Sequence, residues 1–359
     1  MQHTLLIVAP FPDEKFVSEG WMSRIRAVDK IFSNVSRAYI NFGDHHTENH
    51  DGHAVQCDNN VFQYNLNAKL PSHQQIFEQL LQSARLAYVH TVHLAINVRK
   101  WLHTGKIVVD IHGIVPEEEL MLGRPEEAKR FSPVEEEVLT NCRVLVTVTR
   151  AMQHHLINKY PSSKANFITL PIFESYSRDR KSAESISDTD KRLKILYAGG
   201  SQVWQNVDLM LEVAKDMHSY ADFTFLSHDK NIFMQKAKSI DIADNVTIRS
   251  ATKSELPAIY KEHDFGFVLR DKSPVNTVSC PTKLSEYMDF GLIPIVKYTS
   301  LGDFEKYGYN YITDEDVRSL MLPDATCRTY MIQENYKAID HLINEYEVGS
   351  SVLLNLLKN

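Results

Sequence analysis

The sequence predicts an α/β fold made of two parallel-sheet lobes with a cleft between them. Apolar strand-like runs alternate with amphipathic segments, this alternation stops in a polar stretch at 174–190, and it then restarts. Strands that alternate with helices form parallel sheets with helices on both faces. At 359 residues the chain is long enough for two domains of ordinary size.

The first half contains predicted strands and helices in regular order. The predicted strands are 4–10, 36–42, 86–92, 106–113, 144–149 and 165–173. Trp21, Ile25, Val28 and Phe32 recur at helical spacing and predict the first helix. Further helices are predicted in the segment IFEQLLQSAR and around the acidic run Glu135–Glu137, and the polar, His-rich segment 43–60 is expected to be an exposed loop.

The second half repeats the pattern after the polar stretch, which we interpret as an interdomain linker. Its predicted strands are 193–200, 223–227, 246–250, 265–270 and 293–296. A helix is predicted at 204–217, and the segment 336–359 is expected to supply terminal helices. The predicted domains are therefore 1–173, a linker at 174–190, a second lobe at 191–340, and a C-terminal helix at 341–359 that packs back toward the first lobe.

Composition and charge exclude several classes of protein. A content of 43% hydrophobic and 24% charged residues is typical of a soluble globular protein. The net charge of −7 argues against a general nucleic-acid binder. No run approaches the roughly 20 apolar residues of a membrane span. The four cysteines form no CxxC pair, which indicates reduced thiols in the cytoplasm.

The segment 281–296 carries the strongest functional signal. A helix is expected to open on Pro281, where a missing N–H costs nothing. The free N–H groups near Thr282 and Lys283, together with the helix dipole, form a phosphate site. Glu286 lies one turn further on, where its carboxylate could accept hydrogen bonds from a ribose. The alternative is an ordinary surface ion pair between Lys283 and Glu286.

Other candidate residues lie at predicted strand ends, where parallel sheets bind ligands. The guanidinium group of Arg270 has the geometry to bind a phosphate through two hydrogen bonds. The alternative interpretation is that Arg270 forms an ion pair with Asp271. Gly199 and Gly200 allow close backbone approach, and Ser201 and Gln202 could add polar contacts. The acidic run Glu117–Glu119 is assigned no chemistry. His154, His155 and the pair His45–His46 have no ligand-like partner spacing, so no metal site is expected.

The second half resembles the nucleotide-sugar-binding lobe of GT-B glycosyltransferases, more narrowly the retaining glycosyltransferase family 4. The matching segments are YAGGSQVWQNVDLMLEVAKDM and FGFVLRDKSPVNTVSCPTKLSEYMDFGLIPIV. The first half is similar in EGWMSRIRAVD, YVHTVH, VVDIHG and VTVTRAMQHHL. The resemblance implies two Rossmann-like lobes facing each other across a cleft, with a nucleoside-diphosphate sugar held mainly by the second and an acceptor by the first.

The resemblance also implies roles for particular residues. His112 would contact the donor sugar near the reaction centre, and its alternative is a loop histidine bonded to Asp110. The catalytic set is then His112, Arg270 and Lys283. The acceptor side would include Ser18, Glu19 and Gly20, although a helix N-cap followed by an acid in the first turn explains Ser18 and Glu19 almost as well. The donor-binding set is Gly199, Gly200, Ser201, Gln202, Asn276, Ser279, Cys280, Pro281, Thr282 and Glu286.

The chain departs from that family at three places. The family has two glutamates with seven residues between them, and here Val278 occupies the place of the first while Glu286 matches the second. The family's diphosphate-binding Arg and Lys–Gly pair correspond to Gly200 and to Gln205–Asn206. Asn276 or Ser279 could replace the hydroxyl contacts, and Arg270 with Lys283 could replace the cations.

The resulting hypothesis is a metal-independent, retaining glycosyltransferase of bacterial surface polysaccharide or glycoconjugate synthesis. Its partners would be a nucleotide-sugar donor and a saccharide or lipid-linked saccharide acceptor, with no cofactor besides the donor and no nucleic acid. It would be cytoplasmic, with a peripheral contact to the inner face of the membrane as an option. The alternatives are a non-catalytic nucleotide-binding protein with a degraded donor site and a nucleotide-sugar epimerase.

Overall fold

The computed structural model describes residues 3–12, 20–173, 180 and 192–358. They form two compact units, Met1–Ile172 with Glu345–Asn359 and Phe173–Asn344. The predicted linker, apart from Arg180, lies outside the described residues, as do Ser18 and Glu19. The prediction of two parallel-sheet units is confirmed.

The first unit is built on a sheet of eight strands among its described residues, in the order β3-β4-β2-β1-β5-β6-β7-β8. These strands are β1 (Leu5–Val8), β2 (Arg37–Phe42), β3 (Ala54–Asp58), β4 (Val61–Leu66), β5 (Leu86–His90), β6 (Ile107–Ile111), β7 (Val144–Thr147) and β8 (Asn166–Thr169). Its helices are α1 (Gly20–Ile31), α2 (Pro71–Ser83), α3 (Thr91–Ala95), α4 (Val115–Met121), α5 (Pro125–Asn141) and α6 (Arg150–Lys159), with a 3-10 helix at Ile96–Thr104.

The segment 43–60 was expected to be a loop, and this expectation is wrong at its end. β3 pairs antiparallel with β4, with Ala54 opposite Tyr64 and Gln56 opposite Phe62. β3 lies at the edge of the sheet and buries none of its side chains. An edge strand without a buried face lacks the apolar alternation by which strands are recognised in a sequence.

The second unit has a six-stranded sheet within its described residues, in the order β11-β10-β9-β12-β13-β14, and all its neighbouring strands run parallel. The strands are β9 (Leu193–Ala198), β10 (Ala221–Leu226), β11 (Val246–Arg249), β12 (Phe265–Val268), β13 (Ile293–Val296) and β14 (Ile312–Thr313). The helices are α7 (Val207–Met217), α8 (Lys230–Ser239), α9 (Leu256–Lys261), α10 (Pro274–Val278), α11 (Thr282–Asp289), α12 (Asp314–Arg318) and α13 (Ala325–Leu356), with 3-10 helices at Val203–Gln205 and Ala243–Asn245.

Three local predictions need correction in this unit. The segment between β12 and Pro281, in which the sequence predicts no helix, contains the short helix α10. Pro281 is the N-cap of α11 and precedes its first turn instead of occupying it. The predicted terminal helices are one continuous helix, α13, of 32 residues. Its last turns belong to the first unit, where Leu353 and Leu357 are buried in the core.

Each sheet contains a point at which the chain order of its strands reverses. In the first sheet β1 has β2 on one side and β5 on the other, so the direction of chain order changes at β1. In the second sheet it changes in the same way at β9, which lies between β10 and β12. Ligands of open parallel sheets bind outside the carboxyl ends of the strands at such reversals. Within the described residues, no helix is both long and apolar enough to span a bilayer.

A buried ion pair ties α1 to β6 in the first unit. Arg24 Nε lies 2.9 Å and Nη2 3.0 Å from the two carboxylate oxygens of Asp110, and both side chains are almost fully buried. Arg24 Nη1 also donates to the carbonyl of Pro171 at 3.1 Å. Burial alone would raise the pKa of Asp110, but Arg24 and the neighbouring histidines hold it well below its usual range.

We expect Asp110→Asn to destabilise the protein by about 3–5 kcal/mol, because Arg24 would be left buried without a countercharge. Urea unfolding measures this loss. The matched control is Asp44→Asn, which removes a carboxylate from the exposed ion pair with Lys69 and should change the free energy of unfolding by less than about 1 kcal/mol. Equal stabilities of the two variants would contradict the account.

Candidate functional site

Lys283 lies directly over the backbone of Gly199. Lys283 is in the first turn of α11, and Gly199 is the residue after β9. A Cβ added to Gly199 would lie 2.8 Å from Lys283 Nζ and 2.7 Å from the Tyr197 hydroxyl, and it would overlap Lys283 Cε. Real Cβ atoms do not approach so closely, so a glycine here is what permits the lysine to reach the end of β9.

Tyr287 holds α11 in the position that this contact requires. Its ring packs on Gly266 of β12, where an added Cβ would lie 2.6 Å from Cε2. Its hydroxyl accepts a hydrogen bond from the backbone N–H of Ala198 at 2.8 Å. Sequence analysis missed Tyr287 because a tyrosine inside an amphipathic helix does not reveal which strand it contacts.

Arg270 follows β12 and reaches the same edge of the sheet. Its Nη1 donates long hydrogen bonds to Asn276 Oδ1 at 3.4 Å and Ser279 Oγ at 3.3 Å. Its Nε is buried without a hydrogen-bond partner among the described residues. Asp271, the alternative partner, instead binds Lys297 at 2.5 Å and Asn206 at 2.7 Å.

Arg270 and Lys283 place two positive charges near each other, and few negative charges lie close enough to offset them. Burial lowers the pKa of Arg270 to about 10. Burial lowers the pKa of Lys283, Arg270 lowers it further, and Glu286 acts in the opposite direction. In the described part of the chain no ion pair within 4 Å joins either cation to a carboxylate, although the charge of Glu286 is close enough to raise the pKa of Lys283. Such a site attracts an anion.

Glu286 lies one turn beyond Lys283 and is half-buried. Its Oε2 accepts a hydrogen bond from the Tyr260 hydroxyl at 2.9 Å. Tyr260 is almost fully buried and its ring packs edge-on against Tyr287. The carboxylate is therefore fixed in position on the helix that carries Lys283.

Further candidate residues of the second unit lie in the segment that runs from β12 to the start of α11, and they mainly hold that segment in its conformation. Asn276 is buried, and its amide donates to the Asp271 carbonyl at 2.8 Å. Ser279 Oγ donates to the Asn276 carbonyl at 2.9 Å. Cys280 and Pro281 are buried, whereas Thr282 is exposed at the helix start. These contacts orient the residues around Arg270.

The loop after β9 is held by its own hydrogen bonds. The Gly200 carbonyl accepts from the Tyr197 hydroxyl at 2.7 Å. Ser201 donates through its backbone N–H and its hydroxyl to Asp229 Oδ2, at 3.1 and 2.9 Å. Gln202 is exposed. Gly199 thus contacts Lys283, whereas Ser201 is bound to Asp229 and Gln202 is exposed.

In the first unit, His112 follows β6 and is half-buried. Its Nδ1 lies 3.6 Å from Asp110 Oδ2, and His90 Nδ1 lies 3.5 Å from the same oxygen. Burial lowers the pKa of His90, so its imidazole is neutral at pH 7. Gly20, the described member of the proposed acceptor loop, begins α1.

His90, Asp110 and His112 also form a group whose potential ligand atoms lie within 4.8 Å of one another. Arg24 occupies both oxygens of Asp110 and brings a positive charge against them. A metal ion would have to displace this guanidinium from a buried position. The residues therefore do not fit a metal site.

No protein-family model and no curated protein matches the chain. Solved structures do match it. A sucrose-phosphate synthase from Thermosynechococcus elongatus is 10% identical, with a TM-score of 0.72 over 99% of this chain and 98% of that chain. A trehalose-6-phosphate synthase studied for glycosyltransfer with retention is 9% identical, with a TM-score of 0.65 over 99% of both chains.

A UDP-forming α,α-trehalose-phosphate synthase from Burkholderia xenovorans, in complex with glucose-6-phosphate, is 11% identical, with a TM-score of 0.61 over 99% of this chain and 100% of that chain. Identities this low carry information on architecture alone. The match extends over nearly the whole of each chain. The chain therefore has the GT-B fold.

Proposed function

We propose that the protein is a glycosyltransferase that moves a sugar from a nucleoside-diphosphate sugar to an acceptor hydroxyl with retention of configuration. The observation that carries the proposal is the pair Arg270 and Lys283, which have no acidic partner in the described residues and lie at the strand-order reversal of the second sheet. Two cations beside a helix N-terminus suit a diphosphate. The resemblance of the sequence and the GT-B fold support the same activity.

The chemical role of this site would be to stabilise the leaving group. Negative charge grows on the diphosphate as the glycosidic bond breaks, and preorganised cations and N–H groups aimed at developing charge are usually the largest catalytic contribution. The acceptor hydroxyl attacks the anomeric carbon from the face of the departing phosphate, and its proton passes to the phosphate oxygen. The proposal needs no metal ion, because Arg270, Lys283 and the α11 N-terminus supply the positive charge.

The proposed donor and acceptor are based on the resemblance of the sequence and on the matching solved structures. A UDP-sugar donor and a sugar-phosphate acceptor are suggested by the UDP-forming synthase that holds glucose-6-phosphate. A saccharide or lipid-linked saccharide acceptor in surface polysaccharide synthesis remains part of the proposal. A reducing, cytoplasmic compartment is proposed from the sequence, since its four cysteines form no CxxC pair.

A second candidate is a nucleotide-binding protein without transferase activity. Val278 is buried in α10, so it offers no polar group at the place of the missing glutamate. Asn206 is bound to Asp271, and Gln205 is buried, so neither supplies the missing positive charge. These observations favour binding without turnover if Arg270 and Lys283 do not compensate.

A panel of UDP-, GDP-, TDP- and CDP-sugars separates the two candidates. Thermal shift identifies the nucleotide that binds, and release of the nucleoside diphosphate with and without sugar acceptors measures turnover. The transferase is supported by transfer with the anomeric configuration kept. Binding without any turnover across the panel supports the second candidate, and conversion of the donor sugar to its epimer would identify an epimerase.

Lys283→Ala should lower turnover roughly 100-fold or more, because the growing charge on the diphosphate loses a fixed countercharge. The fold should survive, since the change removes a desolvated ammonium without a hydrogen-bond partner in the described chain. Steady-state kinetics and circular dichroism check both statements. Lys238→Ala removes an exposed lysine of the same unit and is the control. Unchanged turnover in Lys283→Ala would refute the phosphate role.

Glu286→Gln should remove a preference for ribose over deoxyribose. A carboxylate that accepts hydrogen bonds from a diol contributes about 10-fold or more in affinity. We therefore expect the wild-type chain to bind UDP more tightly than 2′-deoxy-UDP and the variant to bind them about equally. Calorimetric titration measures both affinities. A preference for UDP that survives in the variant removes Glu286 from the ribose site.

His112→Ala should lower turnover about 100-fold while the affinity for UDP stays unchanged, because the imidazole would contact the sugar and not the nucleotide. Parallel measurement of kcat and of the dissociation constant for UDP tests this separation. If both constants match those of the wild type, His112 is only a structural residue of the loop after β6.

A further inference from the structure

The acidic run on α4 contains one carboxyl group that differs from its neighbours. Glu117 binds Lys159 at 2.8 Å and His155 at 3.2 Å. Glu119 binds Arg124 at 2.6 Å. Glu118, between them, has neither a hydrogen-bond nor an ion-pair partner for its carboxyl group within the described residues. Glu117 and Glu118 both lie in the first turn of α4, where a negative charge is favourable, but only Glu118 is left without a hydrogen bond or an ion pair in the described structure.

Glu118 lies against the loop that carries His112. A Cβ added to Gly113 would lie 2.8 Å from Glu118 Cδ and would overlap Oε1, so a glycine is needed for the carboxyl group to take this position. Gly113 is the neighbour of His112 after β6, and His112 lies close enough to interact electrostatically with Glu118. The carboxyl group and the imidazole therefore occupy the same carboxyl edge of the first sheet.

This arrangement costs stability. Burial raises the pKa of Glu118 to about 7, and the negative charges of Glu119, Glu117 and Glu135 act in the same direction while His112 opposes them. A desolvated carboxyl group without a partner is unfavourable in a folded chain. Groups of this kind cluster at functional sites.

We propose that Glu118 and His112 form a hydroxyl-binding pair, in which the Glu118 carboxylate accepts a hydrogen bond from a sugar hydroxyl beside the imidazole. The inference rests on the proposed function, since it deepens the role of the His112 site. A carboxylate suits this task because it accepts hydrogen bonds from several directions. The hydroxyl could belong to the donor sugar or to the acceptor sugar.

Glu118→Gln in the full chain tests the proposal, because glutamine keeps the shape and removes the charge. The raised pKa means that the wild-type fold loses stability as the pH rises from about 5 through about 7, where the unfolded state has already released the proton. The variant should therefore have a higher Tm than the wild type at pH 8, and the difference should shrink at pH 5. At the same time kcat/KM should fall about 10-fold to 100-fold.

Two assays locate the hydroxyl. Hydrolysis without acceptor, with the fastest substrate among UDP-glucose, UDP-galactose, GDP-mannose, TDP-glucose and CDP-glucose, reports on the donor sugar. Transfer from that donor to glucose or glucose 6-phosphate reports on the acceptor. If Glu118→Gln loses activity in both assays, the bound hydroxyl belongs to the donor sugar. If it loses activity only in the transfer assay, the hydroxyl belongs to the acceptor. The acid limb of the wild-type kcat/KM profile should be absent in the variant.

The control is Glu126→Gln, which removes an exposed carboxylate of α5 in the same unit and should leave stability and both assays unchanged. Wild-type kinetics and pH profile in Glu118→Gln would overturn the assignment of Glu118 while leaving the proposed function intact. Loss of activity together with a lowered Tm at pH 8 would make Glu118 structural and would also overturn it. If the wild-type chain turns over no donor of the panel, both proposals fall.

Discussion

The contact of Lys283 with the backbone of Gly199 determines the chemistry of the second unit. It places an ammonium group at the end of β9, where chain order in the sheet reverses and where Arg270 arrives from β12. Both cations are partly desolvated, and the carboxylates nearby are engaged elsewhere, Asp271 with Lys297 and Glu286 with Tyr260. In the proposed function an anionic ligand would relieve this repulsion, and stability would be exchanged here for binding.

Two carboxyl groups of the first unit, those of Asp110 and Glu118, have contrasting surroundings. Asp110 is fully buried and paired with Arg24 through both oxygens, and it lies beside His90 at the end of β5 and His112 after β6. Glu118, only a few residues later, is left without a partner in the described structure. The buried pair stabilises the fold around the loop, whereas the role proposed for the unpaired group is to bind a sugar hydroxyl.

The elements that carry the second-unit site could be predicted from the sequence, because their patterns are strong. β12, α11 and β13 are a buried run, an amphipathic segment and another buried run, and Pro281 marks the helix start within one residue. β3 could not be predicted, since an edge strand buries no face. The prediction that 336–359 supplies several terminal helices is wrong, since α13 is one continuous helix of 32 residues.

The contacts within the site were harder to predict than its elements. That Lys283 covers Gly199, and that Tyr287 packs on Gly266, depends on strand order and not on any local pattern. Glu118 was set aside for the same reason. Three consecutive glutamates look alike in a sequence, and only Lys159 and Arg124, brought by other segments, show which of them is left without a cation.

The central claim, that Arg270 and Lys283 grip a diphosphate, is tested most directly by calorimetric titration of the wild-type chain. Uridine, guanosine, thymidine and cytidine would each be compared with the corresponding monophosphate and diphosphate. The account predicts, for the preferred base, an affinity that rises from nucleoside to monophosphate to diphosphate, with the gain weakened by added salt. Equal affinities along the series, or no binding by any diphosphate, would contradict it.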